Sequence, residues 1–111
     1  MTDAELADKY IDLLEKRGWG NRDRLLRKLM EELGEYAEAV EYDNGSSAKI
    51  RKFKDKATSQ EKLHEEICDV AMMTLALANN AGLKTNDVLK TIHEKLAEKE
   101  RIHEETKSDK K

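Results

Sequence analysis

The chain has 111 residues, no proline, five glycines and 41% charged side chains, a composition that favours helices and predicts a single all-α domain. Its formal net charge of −3, from 24 acidic and 21 basic residues, argues against nucleic acid or an anionic membrane as the main partner. A single cysteine cannot form an internal disulfide, and no apolar run reaches the roughly 20 residues that span a bilayer, so we expect a cytoplasmic protein.

Apolar residues recur at helical spacing and predict four main helices, which we expect to form an antiparallel bundle. The first helix opens on a capping box at Thr2 and Glu5 and stops at the glycine-rich turn 18–20. The second helix runs from about Asn21 to Tyr42. Its predicted apolar stripe consists of Leu25, Leu26, Leu29, Met30, Leu33, Ala37 and Val40.

The third predicted helix opens on another capping-box candidate, residues 58–61, and continues to about Asn80, where Gly82 closes it. The fourth helix starts near Thr85. Its predicted buried face consists of Val88, Leu89, Ile92 and Leu96. The lysine-rich residues 107–111 are expected to form a flexible tail, so the folded domain should span residues 1–106.

The third helix is apolar around almost its full circumference between Ile67 and Ala78, so we expect it to be buried on several sides. A chain this short has too few helices to supply that cover. We therefore expect a second copy to complete the bundle, most simply as a two-fold dimer. The alternative is a tightly packed monomeric bundle. Cys68, inside this stretch, is expected to be a small buried hydrophobic residue.

Two acidic clusters interrupt segments that otherwise have the pattern of buried helices. They are Glu31, Glu32 and Glu35 on the second helix, and Glu65, Glu66 and Asp69 on the third. Asp69 is the only charged residue between Ile67 and Ala78, and an unpartnered buried carboxylate costs on the order of several kcal/mol. Residues three apart on a helix project within about 60° of each other, so each helix offers two carboxylates on one edge.

The doubled glutamates make the choice of ligands ambiguous, because Glu31 also lies one turn before Glu35 and Glu65 one turn before Asp69. Glu32 lies close to the apolar stripe, whereas Glu31 points further toward solvent. The predicted metal ligands are therefore Glu32, Glu35, Glu66 and Asp69. Glu31 and Glu65 are expected beside them or at the surface.

Carboxylates gathered in one cleft repel one another and raise one another's pKa values unless a cation neutralises them. Oxygen ligands suit a hard divalent cation, Mg²⁺ above all with Mn²⁺ as a substitute, and the lack of His or Cys at ligand spacing disfavours zinc. Two or more Mg²⁺ ions would bind a polyphosphate and activate a water. The pattern predicts hydrolysis of a phosphoanhydride. The alternative is two solvated glutamate-rich faces with ordinary Lys and Arg partners.

Residues 28–35 and 65–70 resemble the paired EExxE and ExxD motifs of the MazG-like all-α nucleoside triphosphate pyrophosphohydrolases. The resemblance covers roughly residues 25–101. It implies a dimeric or tetrameric enzyme that uses Mg²⁺ to split a (deoxy)nucleoside triphosphate into a nucleoside monophosphate and pyrophosphate, as in house-cleaning of nucleotide pools. It also implies that the four predicted ligands bind the metals, and that Glu31 or Glu65 orients or deprotonates the attacking water.

The contacts to the rest of the substrate are less defined. Family members often carry a Lys and, four residues later, an Asn on the last helix; Lys95 matches the first, while Lys99 stands in the second position. Lys95 is a candidate phosphate ligand or simply an exposed lysine. Trp19 is a candidate for stacking on a base, or a hydrophobic anchor. The basic segment 49–56 could close over the triphosphate or form a solvated surface.

Two other functions stay open at this point. One is a non-catalytic helical binding module whose oligomer interface is its function and whose carboxylates belong to salt-bridge networks. The other is a phosphoribosyl-ATP pyrophosphohydrolase. In that family an aromatic residue and a His usually follow the second motif, where this chain has residues 71–73, Ala-Met-Met.

Overall fold

A computed structural model describes residues 1–44 and 56–109, and within these ranges all regular structure is helical. The four α-helices are α1 (Asp3–Leu14), α2 (Arg22–Asp43), α3 (Lys56–Asn80) and α4 (Thr85–Asp109), and a π-helical turn, Glu15–Trp19, follows α1. The predicted all-α class is confirmed. The predicted basic flap, residues 49–56, lies outside the described residues except for Lys56, at which α3 begins.

The reversal between α1 and α2 is held by local capping contacts. Thr2 and Glu5 form the predicted capping box: the Thr2 hydroxyl accepts from the Glu5 amide at 3.2 Å, and the Thr2 amide donates to Glu5 Oε1 at 3.2 Å. Gly18 takes a φ of +94°, a conformation open to glycine at little cost. The Asn21 side chain then accepts from the Arg24 amide at 3.0 Å and caps α2. Each such cap stabilises its helix by about 1 kcal/mol.

Helices α2 and α3 form the central antiparallel pair of the fold. At one end Ser59 donates to Asp43 Oδ1 at 3.2 Å, while at the other end Leu25 packs in the same core cluster as Ala76. Ile11 of α1 completes that buried cluster. The partly buried residues around it are Leu14, Trp19, Met72, Met73, Leu75 and Leu77.

The start of α3 differs from the sequence prediction. The helix begins at Lys56, so residues 58 and 59 lie inside it and the predicted capping box at 58–61 is wrong. The Ser59 hydroxyl, 1% exposed as a residue, donates to Asp43 of α2 instead of capping its own helix. A serine near a helix start serves either purpose, and here the neighbouring carboxylate decides it.

The apolar stripe predicted for α2 is covered only in part. Leu25 is buried, as are Ala39 and Tyr42, but Leu26, Met30 and Leu33 are exposed in the single chain. Neighbouring helices cover α2 from one side, where Leu25 and Ala39 lie. Leu26, Met30 and Leu33 lie at the other edge of the same stripe, which the described part of the chain leaves exposed.

Several residues of α3 and α4 that were expected to be buried are exposed in the single chain. Cys68 and Ile67 are exposed on α3, and so is Asp69. On α4 every residue from Leu89 to Lys107 is exposed, so burial of the predicted face at residues 89, 92 and 96 is not found. The reason is that α4 packs against the other helices only around its first turn and then projects beyond them.

Asp8 of α1 holds the beginning of α4. Its carboxylate accepts hydrogen bonds from the Thr85 amide at 3.0 Å and from the Thr85 hydroxyl at 2.7 Å. These two bonds, with a smaller contribution from the charge of Lys84, lower the pKa of Asp8 even though partial burial acts in the opposite direction. Asp8 thus serves as a helix cap supplied by another helix.

α4 continues through Asp109. The expected limit of the folded domain at residue 106 stays a prediction.

Candidate metal centre and adjoining cavity

Three carboxylates converge between α2 and α3. Glu32 and Glu35 come from one edge of α2, and Glu66 faces them from α3; one oxygen of each lies within 4.8 Å of the others. We call these three residues the glutamate cluster. The i, i+3 spacing places the first two on one edge, and the antiparallel packing brings Glu66 opposite. Glu66 is 1% exposed and Glu32 is 7% exposed, while Glu35 is partly buried.

Two lysines neutralise part of this cluster from within the same helices. Lys28 Nζ lies 3.3 Å from Glu32 Oε1 and 3.6 Å from Glu31 Oε1, and Lys62 Nζ lies 2.6 Å from Glu66 Oε1. The hydrogen bonds to Glu32 and Glu66, and then the charges of the neighbouring carboxylates, raise the pKa of Lys28 and Lys62. Each lysine precedes its buried glutamate by four residues, one helical turn. Sequence reasoning missed both lysines, although this repeated spacing was a visible signal.

The second oxygens, Oε2 of Glu32 and Oε2 of Glu66, are buried and have no hydrogen-bond partner among the described residues. Leaving such an atom unsatisfied costs about 1–3 kcal/mol, and more when the group is charged. A divalent cation between the helices would accept these oxygens as ligands, and an all-carboxylate set suits a hard ion. The residues present therefore fit the metal that the sequence pattern predicts.

Protonation in the cluster is uneven. Burial, a hydrogen bond with Glu66 and the charge of Glu32 raise the pKa of Glu35. Burial by itself would also raise the pKa of Glu66, but hydrogen bonds from Lys62 and Glu35 outweigh it and the pKa is lowered. The two pKa shifts are opposite in direction, so in the absence of a cation Glu35 binds a proton more readily than Glu66.

The other three predicted carboxylates lie around the glutamate cluster rather than in it. Glu31 and Glu65 are exposed, so the predicted difference in burial between Glu31 and Glu32 is confirmed, and Glu65 differs from Glu66 in the same way. Asp69 is exposed and lies on the wall of the cavity beside Glu32. Its predicted role as a fourth ligand, and the catalytic role of Glu31 or Glu65, stay predictions.

An open cavity of about 230 Å³ adjoins the glutamate cluster. Its walls come from α1, the π turn, α2 and α3, and Glu32 belongs both to this wall and to the cluster. We call it the central cavity. The lining residues are Tyr10, Leu14, Trp19, Lys28, Glu32, Asp69, Met72 and Met73. Apolar and aromatic walls with a few charged groups at one end are typical of a small-molecule site.

Comparison with known proteins agrees with this geometry. The model of the MazG nucleotide pyrophosphohydrolase domain matches residues 21–103, a stretch that contains all the carboxylates of the two acidic clusters. The chain belongs to the MazG nucleotide pyrophosphohydrolase family. It is also 36% identical over 97 residues to the uncharacterized protein YvdC of Bacillus subtilis (strain 168), a match that covers 84% of this chain and 92% of YvdC. No solved structure shows a significant similarity.

Membership of the MazG family confirms the resemblance proposed from the two acidic motifs. It indicates nucleotide pyrophosphohydrolase activity in general, which is hydrolysis of a phosphorus-containing anhydride, and the family generally uses a divalent metal. α1 and the π turn precede the matched residues. No helix in the described ranges of this MazG-family chain is long and apolar enough to cross a membrane.

Trp19 occupies a defined position in this MazG-family chain. Its ring packs against the core cluster and also lines the central cavity. It is therefore a hydrophobic anchor whose cavity-facing surface is accessible to a ligand. The Arg24 guanidinium lies 4.0 Å from the ring centroid, and Arg24 Nη1 donates to the Gly18 carbonyl at 2.9 Å. Asn80 Nδ2 donates to the Gly20 carbonyl at 2.9 Å. The backbone on both sides of Trp19 is therefore held; the sequence contained no signal for either contact.

The two predicted substrate lysines of α4 lie elsewhere. Lys95 and Lys99 are exposed, and neither lines the central cavity. Lys99 instead borders a surface depression with His103 and Glu104. Their contacts with substrate stay predictions.

Proposed function

We propose that this chain is a Mg²⁺-dependent pyrophosphohydrolase that cleaves the α–β phosphoanhydride of (deoxy)nucleoside triphosphates to a nucleoside monophosphate and pyrophosphate. The observation that supports this most directly is the glutamate cluster with its two buried, unpartnered oxygens. Family membership supports the nucleotide as substrate. Removal of noncanonical or excess nucleotides is the biological role we propose.

Glu32, Glu35 and Glu66 would hold the cation, and Asp69, one turn beyond Glu66, is the proposed fourth ligand. When bound, Mg²⁺ supplies charge neutralisation and a water of lowered pKa. Metal binding requires deprotonated carboxylates, so a bound cation would oppose the effects that raise the pKa of Glu35. Glu31 and Glu65, exposed at the edge of the cluster, are the proposed groups that orient the attacking water or accept its proton.

Lys28 and Lys62 have a proposed second role. In the metal-free protein they neutralise Glu32 and Glu66. Their side chains are 31% and 35% exposed, so both ammonium groups are free to turn toward solvent once a divalent cation satisfies the carboxylates. From there they can contact the phosphates of the substrate as compact positive charges.

The central cavity is the proposed site for the base. Trp19 and Tyr10 offer aromatic surface, and Met72 and Met73 offer polarizable thioethers that adapt to a ring. The position of Glu32 on the same wall places the base next to the proposed metal. Lys95 and Lys99 remain proposed contacts to phosphate and sugar.

We also propose that the protein is a homodimer or a dimer of dimers. Exposed apolar residues occur on all four helices, among them Leu6, Leu33, Ile67 and Ile92. Many large apolar side chains exposed on one small chain favour an interface, and we infer a second copy as the partner because most soluble oligomers are symmetric assemblies of identical chains.

A panel of canonical and modified nucleoside triphosphates, incubated with the purified protein and Mg²⁺, tests the function by detection of released pyrophosphate. We expect release from at least one nucleotide, and none when Mg²⁺ is chelated. If no nucleotide yields pyrophosphate and Mg²⁺ leaves the thermal midpoint unchanged, the hydrolase assignment is wrong and a non-catalytic helical module is the better description.

A further inference from the structure

A second cavity, of about 320 Å³, lies on the outer side of the first turns of α2. Its lining residues are Trp19, Arg24, Arg27, Lys28 and Glu31. Three of these five carry positive charge, in a chain whose net charge is −3. Because Trp19 and Lys28 also line the central cavity, the two spaces adjoin. We call the second one the cationic pocket.

Arg24 is held in place within the cationic pocket. Its guanidinium lies 4.0 Å from the centroid of the Trp19 ring, and Nη1 donates to the Gly18 carbonyl at 2.9 Å. A guanidinium carries five N–H donors, so the hydrogen bond to the Gly18 carbonyl leaves donors for a ligand. A cation that is already fixed loses little conformational entropy when an anion binds.

Arg27 contributes charge that the protein does not use. It is exposed, and no ion pair or hydrogen bond to its side chain is found among the described residues. Lys28, the third cation, contacts Glu31 and Glu32. Glu31 is the one acidic residue of the pocket lining, so the two arginines leave the pocket with an excess of positive charge.

We propose that the cationic pocket binds the terminal diphosphate of the nucleotide, the part that leaves as pyrophosphate. This inference rests on the proposed function. A nucleotide whose base lies in the central cavity can pass its phosphates along Lys28 and Glu32, which border the glutamate cluster, and reach Arg24 and Arg27. Planar guanidinium groups bind phosphate oxygens in a bidentate manner. The pocket therefore separates the highly charged leaving group from the carboxylates that hold the metal.

The test uses inorganic pyrophosphate as the probe and the intrinsic fluorescence of Trp19, the one tryptophan of the chain, as the signal. The titration is made in metal-free buffer, so that binding through carboxylate-held cations does not contribute. We compare wild type with Arg27→Gln and with Arg22→Gln. Arg22 is an exposed arginine of the same helix that does not line the pocket, so this control removes the same charge.

We expect pyrophosphate to change Trp19 fluorescence in wild type and in Arg22→Gln, and Arg27→Gln to weaken its affinity about three- to tenfold. Arg27→Lys should recover part of the loss, because charge is kept without the planar fork. In turnover assays with Mg²⁺, product inhibition by pyrophosphate should weaken by a similar factor in Arg27→Gln. Circular dichroism melts should show all variants folded, since Arg27 is exposed.

Equal affinity in wild type and Arg27→Gln, or an equal loss in Arg22→Gln, would overturn the proposal. So would a loss of direct binding in Arg27→Gln with unchanged product inhibition and unchanged kcat/KM, because the pocket would then hold a free anion rather than the diphosphate of the substrate. If the protein hydrolyses no nucleotide but pyrophosphate still binds through Arg27, the proposed function fails while anion recognition by the pocket stands.

Discussion

The two members of each glutamate doublet have different surroundings although they are adjacent in sequence. Glu32 and Glu66 are buried against the opposite helix, whereas Glu31 and Glu65 are exposed. A rotation of about 100° per residue along an α-helix is enough to produce this difference. At the residue scale, therefore, the inner glutamates carry the desolvation cost and gain most from a cation.

Replacement of Glu66 by Gln tests the metal site through stability rather than turnover. In wild type we expect Mg²⁺ to raise the thermal midpoint progressively with concentration, as a ligand that binds only the folded state does. Glu66→Gln should remove most of this rise, because a buried ligand oxygen is lost. Glu61→Gln, an exposed glutamate of the same helix, is the matched control and should respond like wild type. A full Mg²⁺ response in Glu66→Gln would exclude Glu66 as a ligand.

Glu32→Gln and Glu31→Gln form a second matched pair, this time for activity. We expect Glu32→Gln to lower kcat about a hundredfold or more, since a ligand of the catalytic metal is changed. Glu31→Gln should cost less, because Glu31 is exposed and contacts only Lys28 among the described residues. Initial rates of pyrophosphate release at saturating Mg²⁺ measure both. Equal losses would contradict the distinction between the inner and outer glutamate.

At the element scale, the site depends on how α1, the π turn and α4 attach to the α2–α3 pair. The π turn is held at its far end by Asn80, through the Gly20 carbonyl, and Glu15 accepts from Asn79 Nδ2 at 2.6 Å. These contacts place Trp19 at the central cavity. Helix α4 is attached differently, through the carboxylate of Asp8 at its first turn, and its residues 89–107 are exposed.

The Asp8 cap predicts a pH-dependent contribution to folding. Because the hydrogen bonds from Thr85 lower the pKa of Asp8 in the folded state below its ordinary value of 3.8, the carboxylate stabilises the fold fully above pH 3.8. The contribution is lost as pH falls from about 3.8 through the lower folded-state pKa.

Asp8→Asn should therefore lower the free energy of unfolding by about 1 kcal/mol at neutral pH, and the difference from wild type should shrink below pH 4. Urea denaturation at several pH values measures this. Asp12→Asn, an exposed aspartate of the same helix, is the control and should show little change. If the difference in unfolding free energy between wild type and Asp8→Asn did not change with pH, the charge of Asp8 would not be the source of its stabilising effect.

The whole chain is extended for its size. Its radius of gyration is 18.5 Å, with extents of 52 × 45 × 28 Å, whereas a compact domain of this length has a radius of about 13 Å. The extension arises from long helices that project beyond their neighbours, α4 above all. Apolar side chains on the projecting and uncovered faces support the proposed oligomer, since a single chain leaves them in water.

Ile92→Glu tests that proposal. Light scattering should give wild type at least twice the 12.8 kDa mass of one chain at micromolar concentration. Ile92→Glu, which places a charge on the apolar face of α4, should shift the mass toward that of the monomer. Lys90→Glu, about 160° away around the same helix, should not. A monomeric wild type would overturn the dimer proposal and leave the exposed face of α4 without a partner.

Much of the local structure follows from the sequence alone. The capping box at Thr2, the start of α2 near Asn21 and the end of α3 at Asn80 were all predicted correctly, because they depend on residues within one or two turns. The i, i+3 spacing also placed Glu32 and Glu35 on one edge, and the two acidic motifs indicated the MazG family. Helix propensity, capping and periodicity depend on residues that are close in the chain, so they can be predicted from the sequence.

The tertiary structure alone decided which faces are covered and which side chains meet. The packing of α3 against α2 brings Glu66 close to Glu32 and places Asp69 on the cavity wall. The same packing brings the Ser59 hydroxyl within hydrogen-bond distance of Asp43. The stacking of Arg24 on Trp19 had no sequence signal. Burial depends on elements far apart in the chain, and periodicity identifies an apolar face without stating what covers it. For α4 no described part of the chain covers the predicted face at residues 89, 92 and 96, and these residues are therefore exposed.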